Sequence, residues 1–144
     1  MSKINITCCI ALLCYLFFIG EVQAKRQYQV VAHPDVIEKD LSVNVLRAIF
    51  SMRLRTWPNG KAIKVFVLED NDALHHDFSK EKLKVFPYQL RLAWDRLVFS
   101  GTGQAPINVS SQEEMRSKVA STPGAIGYLE TTYISDDIHV LEIR

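Results

Sequence analysis

In the stretch TPGAIGY, residues 122–128, a break at Thr122-Pro123-Gly124 separates a helical pattern from an extended one. Pro123 cannot continue a helix, because its ring removes a backbone N–H, and the glycine after it permits a tight turn. Before the break, Ser110-Ser111-Gln112-Glu113-Glu114 offers two overlapping capping boxes, Ser110 with Glu113 and Ser111 with Glu114, for a helix that runs to about Ser121. After it, Ala125 to Leu129 predicts a strand of small and apolar residues. The chain therefore passes directly from helix to strand, as in domains that layer helices on a sheet.

A second strand and a polar junction lie upstream of this break. Ala62 to Leu68 alternates and is rich in β-branched residues, which predicts a strand. We expect Ile63, Val65 and Val67 to face one side of it. The polar residues Glu69-Asp70-Asn71-Asp72 follow this strand and can cap a short helix. The chain therefore also passes from strand to helix.

Two more helices and two more strands complete the pattern. Pro87 begins the clearest helix, at a position where a missing N–H does no harm, and Gly101 ends it. Asp40 or Ser42 caps an earlier helical pattern that runs out at Trp57-Pro58-Asn59-Gly60. The remaining predicted strands lie near the two ends of this region: Tyr28 to Ala32 and Ile138 to Ile143. Strands separated by helices favour an α/β layered domain.

The N-terminal residues have the three parts of a secretory signal peptide. Lys3 supplies a positive charge, Cys8 to Ile19 form an apolar run, and Val22-Gln23-Ala24 places small or modest side chains where a signal peptidase reads. The run is shorter than the roughly 20 apolar residues of a membrane-spanning helix. An uncleaved anchor and a lipid-modified Cys14 are the alternatives. We expect residues 1–24 to be a cleaved signal peptide and the product to be periplasmic or secreted.

Composition limits what residues 25–144 can be. All three cysteines, Cys8, Cys9 and Cys14, lie in the expected signal peptide, so the mature chain has neither a disulfide framework nor a cysteine zinc site. Removing 24 of the 144 residues leaves 120, the size of a single domain with one core. The formal net charge is +1 and like charges do not run together, which argues against nucleic acid partners and against membrane insertion of the mature chain.

Four motifs along the mature chain carry a family resemblance. They are Trp57-Pro58-Asn59-Gly60-Lys61, then Trp94 with Val98-Phe99-Ser100-Gly101-Thr102-Gly103, then Pro106 with Val109, and then Val119 followed by Thr122-Pro123-Gly124-Ala125-Ile126-Gly127-Tyr128. In this order they resemble the phosphate-binding proteins of ABC transporters, over about Ser42 to Glu130. The residues that we single out as the structural motif are Trp57, Gly60, Trp94, Gly101, Pro123, Gly124 and Gly127. The resemblance implies a type 2 periplasmic-binding fold, an α/β domain with a mixed β-sheet flanked by helices, of which this chain holds the material for a single lobe.

The resemblance also implies where an oxyanion would bind. In the family a strand ends in an arginine and a Ser-Gly-Thr turn begins the next helix, so that backbone and hydroxyl donors meet a phosphate. The matching positions here, and hence the candidate ligand-binding residues, are Glu69, Asp70, Asn71 and Asp72. Three of these four residues carry carboxylates, at positions where the family has hydrogen-bond donors. The segment Ser100-Gly101-Thr102-Gly103 has the letters of the triplet, but it lies where a helix ends and the helix dipole disfavours an anion.

Other polar and aromatic residues have structural explanations. The adjacent residues His75 and His76 point about 100° apart on a helix and have no evident third ligand, so we expect no metal site. The acidic junction fits a helix cap better than a calcium loop, whose glycine and distant glutamate are absent. Trp57 and Trp94 fit a core better than a ligand-stacking role. The sequence shows no catalytic triad, acid–base pair or phosphate loop, and we expect neither an enzyme nor a cofactor.

Two functions from different classes are open for such a chain. In the first, it is a solute-binding component for phosphate or a related oxyanion, and a homo-oligomer supplies the wall that one lobe lacks. In the second, it keeps the fold without the ligand and acts as an interaction module for a protein of the cell envelope. The family favours the first function, and the carboxylates of the junction favour the second.

Overall fold

The computed structural model describes residues 24–144. The expected signal peptide, apart from Ala24, lies outside the described residues. Six strands form one mixed sheet: β1 (Tyr28–Ala32), β2 (Asp40–Leu41), β3 (Lys64–Leu68), β4 (Ile107–Val109), β5 (Ala125–Glu130) and β6 (His139–Ile143). Four helices connect them: α1 (Val43–Phe50), α2 (Ala73–Glu81), α3 (Pro87–Phe99) and α4 (Gln112–Ser121). A short 3₁₀ helix, Thr131–Tyr133, follows β5.

The order of strands across the sheet is β2-β6-β1-β5-β3-β4. Strand β3 runs parallel to both β4 and β5. Strand β1 lies between β5 and β6 and is antiparallel to both. Because β3, β4 and β5 run in the same direction, their carboxyl ends lie at one edge of the sheet. We call this edge, formed by residues 69–72 after β3 and residues 110–111 after β4, the strand-end edge.

Helices cover both faces of the sheet. Gly127 of β5 faces α4, because a side chain at that position would meet Met115 and Val119. The next residue, Tyr128, faces the other way and stacks on Phe78 of α2 at a centroid distance of 4.0 Å. The strand β3 is accordingly buried on both faces, with Val65 to Leu68 all at most 3 % exposed. Phe66 and Leu68, which alternate with Val65 and Val67, are buried as well, because a strand between two helical layers has no solvent side.

The helix starts follow the sequence signals closely. Ser42, rather than Asp40, caps α1 by accepting a hydrogen bond from the backbone N–H of Val45. Pro87 is the first residue of α3. The helix α1 ends at Phe50, before the Trp57 turn, and Met52 beyond it has a positive φ of 64°. Strands β2 and β4 are additions to the sequence prediction, since two and three residues are too few to show an alternating pattern.

Two of the sequence motifs meet in space. The indole N–H of Trp57 donates to the carbonyl of Gly124 at 3.0 Å, although 67 positions separate the two residues. Gly124 has a φ of +76°, and a β-carbon there would collide with the carbonyl oxygen of Ala62. The backbone N–H of Gly124 donates to Asp35 at 3.1 Å. The glycine is therefore required for both its backbone conformation and its close contact with the turn that follows Trp57.

The second tryptophan, Trp94, connects two helices of the same layer. Trp94 of α3 is buried, and its indole N–H donates to the carbonyl of Phe50 at the end of α1 at 2.8 Å. Gly101, with a φ of +70°, ends α3 in an exposed turn. Trp57 and Trp94 thus both lie in the core and satisfy their polar atoms by backbone acceptors, as buried indoles require.

Candidate functional site

The strand-end edge carries the N-termini of two helices. The junction Glu69–Asp72 leads from β3 into α2, and Ser110-Ser111 leads from β4 into α4. The first turn of a helix has unpaired N–H groups and a partial positive charge, so such an edge is where an anion would be held. An anion can bind there only where side chains of the chain itself do not already accept hydrogen bonds from these N–H groups.

The carboxylate of Asp72 caps the N-terminus of α2. One of its carboxylate oxygens accepts hydrogen bonds from the backbone N–H groups of Leu74 and His75, at 2.8 and 3.2 Å. Its carbonyl accepts from the N–H of His76 at 3.0 Å, and its own N–H donates to the carbonyl of Glu69 at 2.9 Å. The backbone donors that would meet a bound oxyanion are therefore paired with a carboxylate of the chain itself.

Ser111 caps the N-terminus of α4, and the carboxylate of Glu114 reaches back to Ser110. The hydroxyl of Ser111 accepts from the N–H of Glu114 at 3.1 Å. The carboxylate of Glu114 accepts from both the N–H and the hydroxyl of Ser110, at 2.7 Å each. These hydrogen bonds lower the pKa of Glu114 and keep it ionised. The capping residues expected from sequence are thus at the helix start, with Ser110 paired to Glu114 rather than to Glu113.

Asp70 is neutralised by an arginine that sequence reasoning missed. The Nε and Nη2 atoms of Arg91 donate to the two oxygens of Asp70, at 2.8 Å each. This bidentate pair holds the pKa of Asp70 below its usual range and raises that of Arg91. Arg91 also lies over the ring of Trp94, 5.0 Å from its centroid. The pair spans 21 positions, so only the packing of α3 beside the junction could reveal it.

A buried histidine lies directly beneath the junction. His75 Nδ1 is 2.5 Å from the hydroxyl of Tyr128, and that hydroxyl accepts from the backbone N–H of Leu68 at 2.9 Å. The Tyr128 hydroxyl thus bridges the end of β3 and the first turn of α2, and the ring tautomer of His75 determines which of the two side chains donates. Burial lowers the pKa of His75, although Asp70 and Asp72 partly oppose this. The end of β3 and the start of α2 are therefore joined by a neutral hydrogen-bonded chain.

A cavity of about 780 Å³ opens beside the junction and is lined mainly by charged groups. Asp70 and Asn71 line it, whereas Glu69 and Asp72 do not. Arg26 lines the cavity too, but its guanidinium pairs with Asp77 at 3.1 Å and with Glu130 at 2.6 Å. The cations of this wall are thus engaged by carboxylates, and the cavity presents no free positive charge from Arg26 to an anion.

The Ser-Gly-Thr segment after α3 is a helix end. The backbone N–H groups of residues 100–103 donate to the carbonyls of Arg96, Val98 and Leu97. The hydroxyls of Ser100 and Thr102 lie 2.7 Å apart. Since those N–H groups are paired within the chain, the segment has the composition of an oxyanion loop without its geometry.

Within residues 24–144, no group of three or more histidine, cysteine, aspartate or glutamate side chains is placed to hold a metal ion. In the same region no helix combines the length and the apolar character needed to cross a membrane. His75 and His76 differ as their spacing predicts, since the first is buried and the second is exposed.

Comparison with solved structures confirms the fold. An ABC-type phosphate transport receptor from Vibrio cholerae superposes with a TM-score of 0.65 at 12% sequence identity, over 82% of this chain and 46% of its own. PstS from Borrelia burgdorferi superposes with a TM-score of 0.65 at 17% identity, over 83% of this chain and 47% of its own. The α/β fold, with its mixed sheet between helices, is thus that of slightly less than half of a type 2 periplasmic-binding protein.

Sequence comparison shows the family. The phosphate-binding protein PstS of Bacillus subtilis (strain 168) is 28% identical over 108 residues, which are 73% of this chain and 31% of that protein. The chain therefore spans about a third of the length of this relative. The model of a family described as PBP superfamily domain matches residues 21–139. With most of its length covered by that match, the chain belongs to the PBP superfamily.

Proposed function

We propose that this protein is an exported, non-enzymatic solute-binding component of the phosphate-binding-protein class, which holds phosphate or a related oxyanion only when a second wall closes over the strand-end edge. The similarity to phosphate-binding proteins supports the class. The second wall is a protein surface, either a second copy of this chain or an envelope partner. The chain spans less than half of the solved relatives.

The observation that carries this proposal is the pairing of the donors at both helix N-termini with the chain's own side chains. Asp72 occupies the start of α2, and Glu114 closes the start of α4. A micromolar dissociation constant requires about 8 kcal/mol. A helix N-terminus contributes only about 0.3 to 1 kcal/mol, and a carboxylate about 4 Å from a phosphate charge repels it by on the order of 1 kcal/mol even in water. The isolated lobe therefore has no source for the required free energy.

Titration of one purified sample with inorganic phosphate, by calorimetry and light scattering together, tests this proposal. We expect no saturable heat in the micromolar range while the mass is that of a monomer, and binding once a dimer forms. Micromolar binding by the monomer, weakened by Asp70→Ala or Asn71→Ala, would refute the need for a second wall. Thr132→Ala, on the 3₁₀ helix outside the junction, is the control.

A second candidate function is a protein-interaction module that has lost the oxyanion. The same occupied donors favour it, because helix N-termini that are capped by the chain's own side chains offer fewer donors to a phosphate. Absence of phosphate binding in both monomer and dimer would select this candidate. Export is tested separately by mass spectrometry of the protein recovered from the envelope or medium. We expect Lys25 at its N-terminus, and an intact Met1 would show that no signal peptidase acts.

A further inference from the structure

A groove of about 440 Å³ runs between α1 and α3 on the outer helical layer. Its floor is apolar and is formed by Val85, Leu90, Ala93 and Leu97. Three arginines, Arg47, Arg53 and Arg96, also line it, and no acidic residue does. We call this feature the arginine groove. At 100° per residue it lies on the side of α3 roughly opposite Arg91, so it is separate from the strand-end edge.

The arginines of this groove are not paired with carboxylates in the described region. Of the eight arginines in the chain, Arg26, Arg91 and Arg144 form ion pairs there. The four that border the groove form none with any carboxylate of residues 24–144: Arg47, Arg53, Arg55 and Arg96. Arg55 joins them because its guanidinium donates to the carbonyl of Thr102, a residue that lines the groove. In a chain with a formal net charge of +1, this is a local excess of positive charge.

Beyond Arg96, the neighbouring face of α3 carries two exposed apolar side chains. Leu92 and Phe99 share a face with Arg96, four residues before it and three after it. Their exposed fractions are 52 % and 86 %. Exposed apolar side chains beside a charged rim add surface that water solvates poorly and that a partner can cover. Arg53 and Arg96 are themselves exposed, so their charges are accessible to a partner.

We propose that the arginine groove is a docking site for an acidic amphipathic segment of a partner protein. The charge of the rim selects carboxylates, since guanidinium forks bind them bidentately. The apolar floor favours a partner segment that places an apolar side chain between those carboxylates, as when a groove binds one face of a helix. This inference concerns a surface other than the one that the proposed function uses, and it stands whether or not phosphate is bound.

The test is an NMR titration of purified, ¹⁵N-labelled protein with a defined probe. The probe is a peptide of about 12 residues with leucines at helical spacing flanked by glutamates, and its control carries lysine at each glutamate position. We expect saturable shifts of the amides of Val85, Leu90 and Leu97, with a dissociation constant below about 1 mM, for the acidic peptide alone. Raising the salt to about 1 M should weaken this binding.

Charge reversal at the rim of the groove distinguishes specific docking from nonspecific binding. The double variant Arg53→Glu/Arg96→Glu should weaken binding of the acidic peptide by at least about tenfold and allow the basic peptide to bind. Arg116→Glu, an exposed arginine on α4 across the sheet, is the matched control and should change neither. Equal affinity for the two peptides, shifts outside the groove, or no saturation by either peptide would overturn the proposal. An unchanged amide spectrum of each free variant verifies its fold.

Discussion

Alanine at Gly124 tests the contact that joins two sequence motifs. A β-carbon there has two costs: the left-handed backbone at φ +76°, and a collision with the carbonyl oxygen of Ala62. Gly60 offers a matched control, since its φ is +83° and nothing lies within 4 Å of a β-carbon built on it. The comparison of Gly124→Ala with Gly60→Ala therefore isolates the collision from the backbone strain.

The expected magnitudes follow from these two costs. A left-handed conformation costs a non-glycine residue about 1 to 2 kcal/mol, which both variants bear. Forcing atoms into a packed site costs a further 1 to 3 kcal/mol or so, which only Gly124→Ala bears. Because the colliding atom is backbone, it cannot turn away as a flexible side chain would. We expect Gly60→Ala to lose about 1 to 2 kcal/mol of unfolding free energy and Gly124→Ala about 2 to 5 kcal/mol.

Urea unfolding provides the measurement, with tryptophan fluorescence and far-UV circular dichroism followed together. Trp57 and Trp94 are both buried, so their emission reports loss of the core. Fluorescence also responds to a local change at Trp57, whose indole donates to Gly124. Circular dichroism distinguishes such a local change from loss of the whole fold. Equal destabilisation by the two alanine substitutions would refute the argument, because it would mean that the turn at Ala62 moves aside without cost.

Three further predictions concern the sheet, the junction and the histidine beneath it. Gly127→Val should destabilise by about 1 to 3 kcal/mol, since a β-carbon there lies 2.5 Å from the Met115 sulfur; an unchanged melting temperature would show that α4 yields freely. Asp72→Ala should cost about 0.5 to 2 kcal/mol by removing the cap of α2, measured as a lower urea midpoint, and a wild-type midpoint would show that the cap contributes nothing. Burial depresses the pKa of His75 below its ordinary value of 6.5, so its contribution to stability is complete above that pH and is lost as the pH falls through the folded-state pKa. The unfolding free energy of His75→Gln should therefore fall less steeply than that of wild type between about pH 7 and pH 5, and parallel curves would contradict a neutral buried His75.

Local signals predicted the elements that have caps and long apolar patterns. Ser42, Pro87 and Ser111 mark helix starts in the structure as in the sequence. These signals succeed because a helix N-terminus needs partners within its own first turn. The strand β4 was missed for the opposite reason: its three residues pair with β3, and nothing in Ile107–Val109 itself requires that neighbour.

The candidate site was predictable in its position and not in its contacts. The sequence placed carboxylates at residues 69–72, and the structure gives Asp72 the role of a cap. The pairing of Asp70 with Arg91, and of His75 with Tyr128, connects residues 21 and 53 positions apart. Such contacts depend on how helices cross the sheet, which no local pattern encodes. The ligand-binding assignment of Glu69, Asp70, Asn71 and Asp72 stays a prediction.

The position of β1 has a consequence for the order in which the protein folds. Both hydrogen-bonding edges of this first strand are completed by the last quarter of the chain, β5 and β6. Until Glu130 has been synthesised, Tyr28 to Ala32 has no strand to pair with, and its apolar residues lack their place in the core. Contacts so distant along the chain close late, because loop closure must precede them. The sheet therefore cannot close around β1 until residues 125–143 have been synthesised.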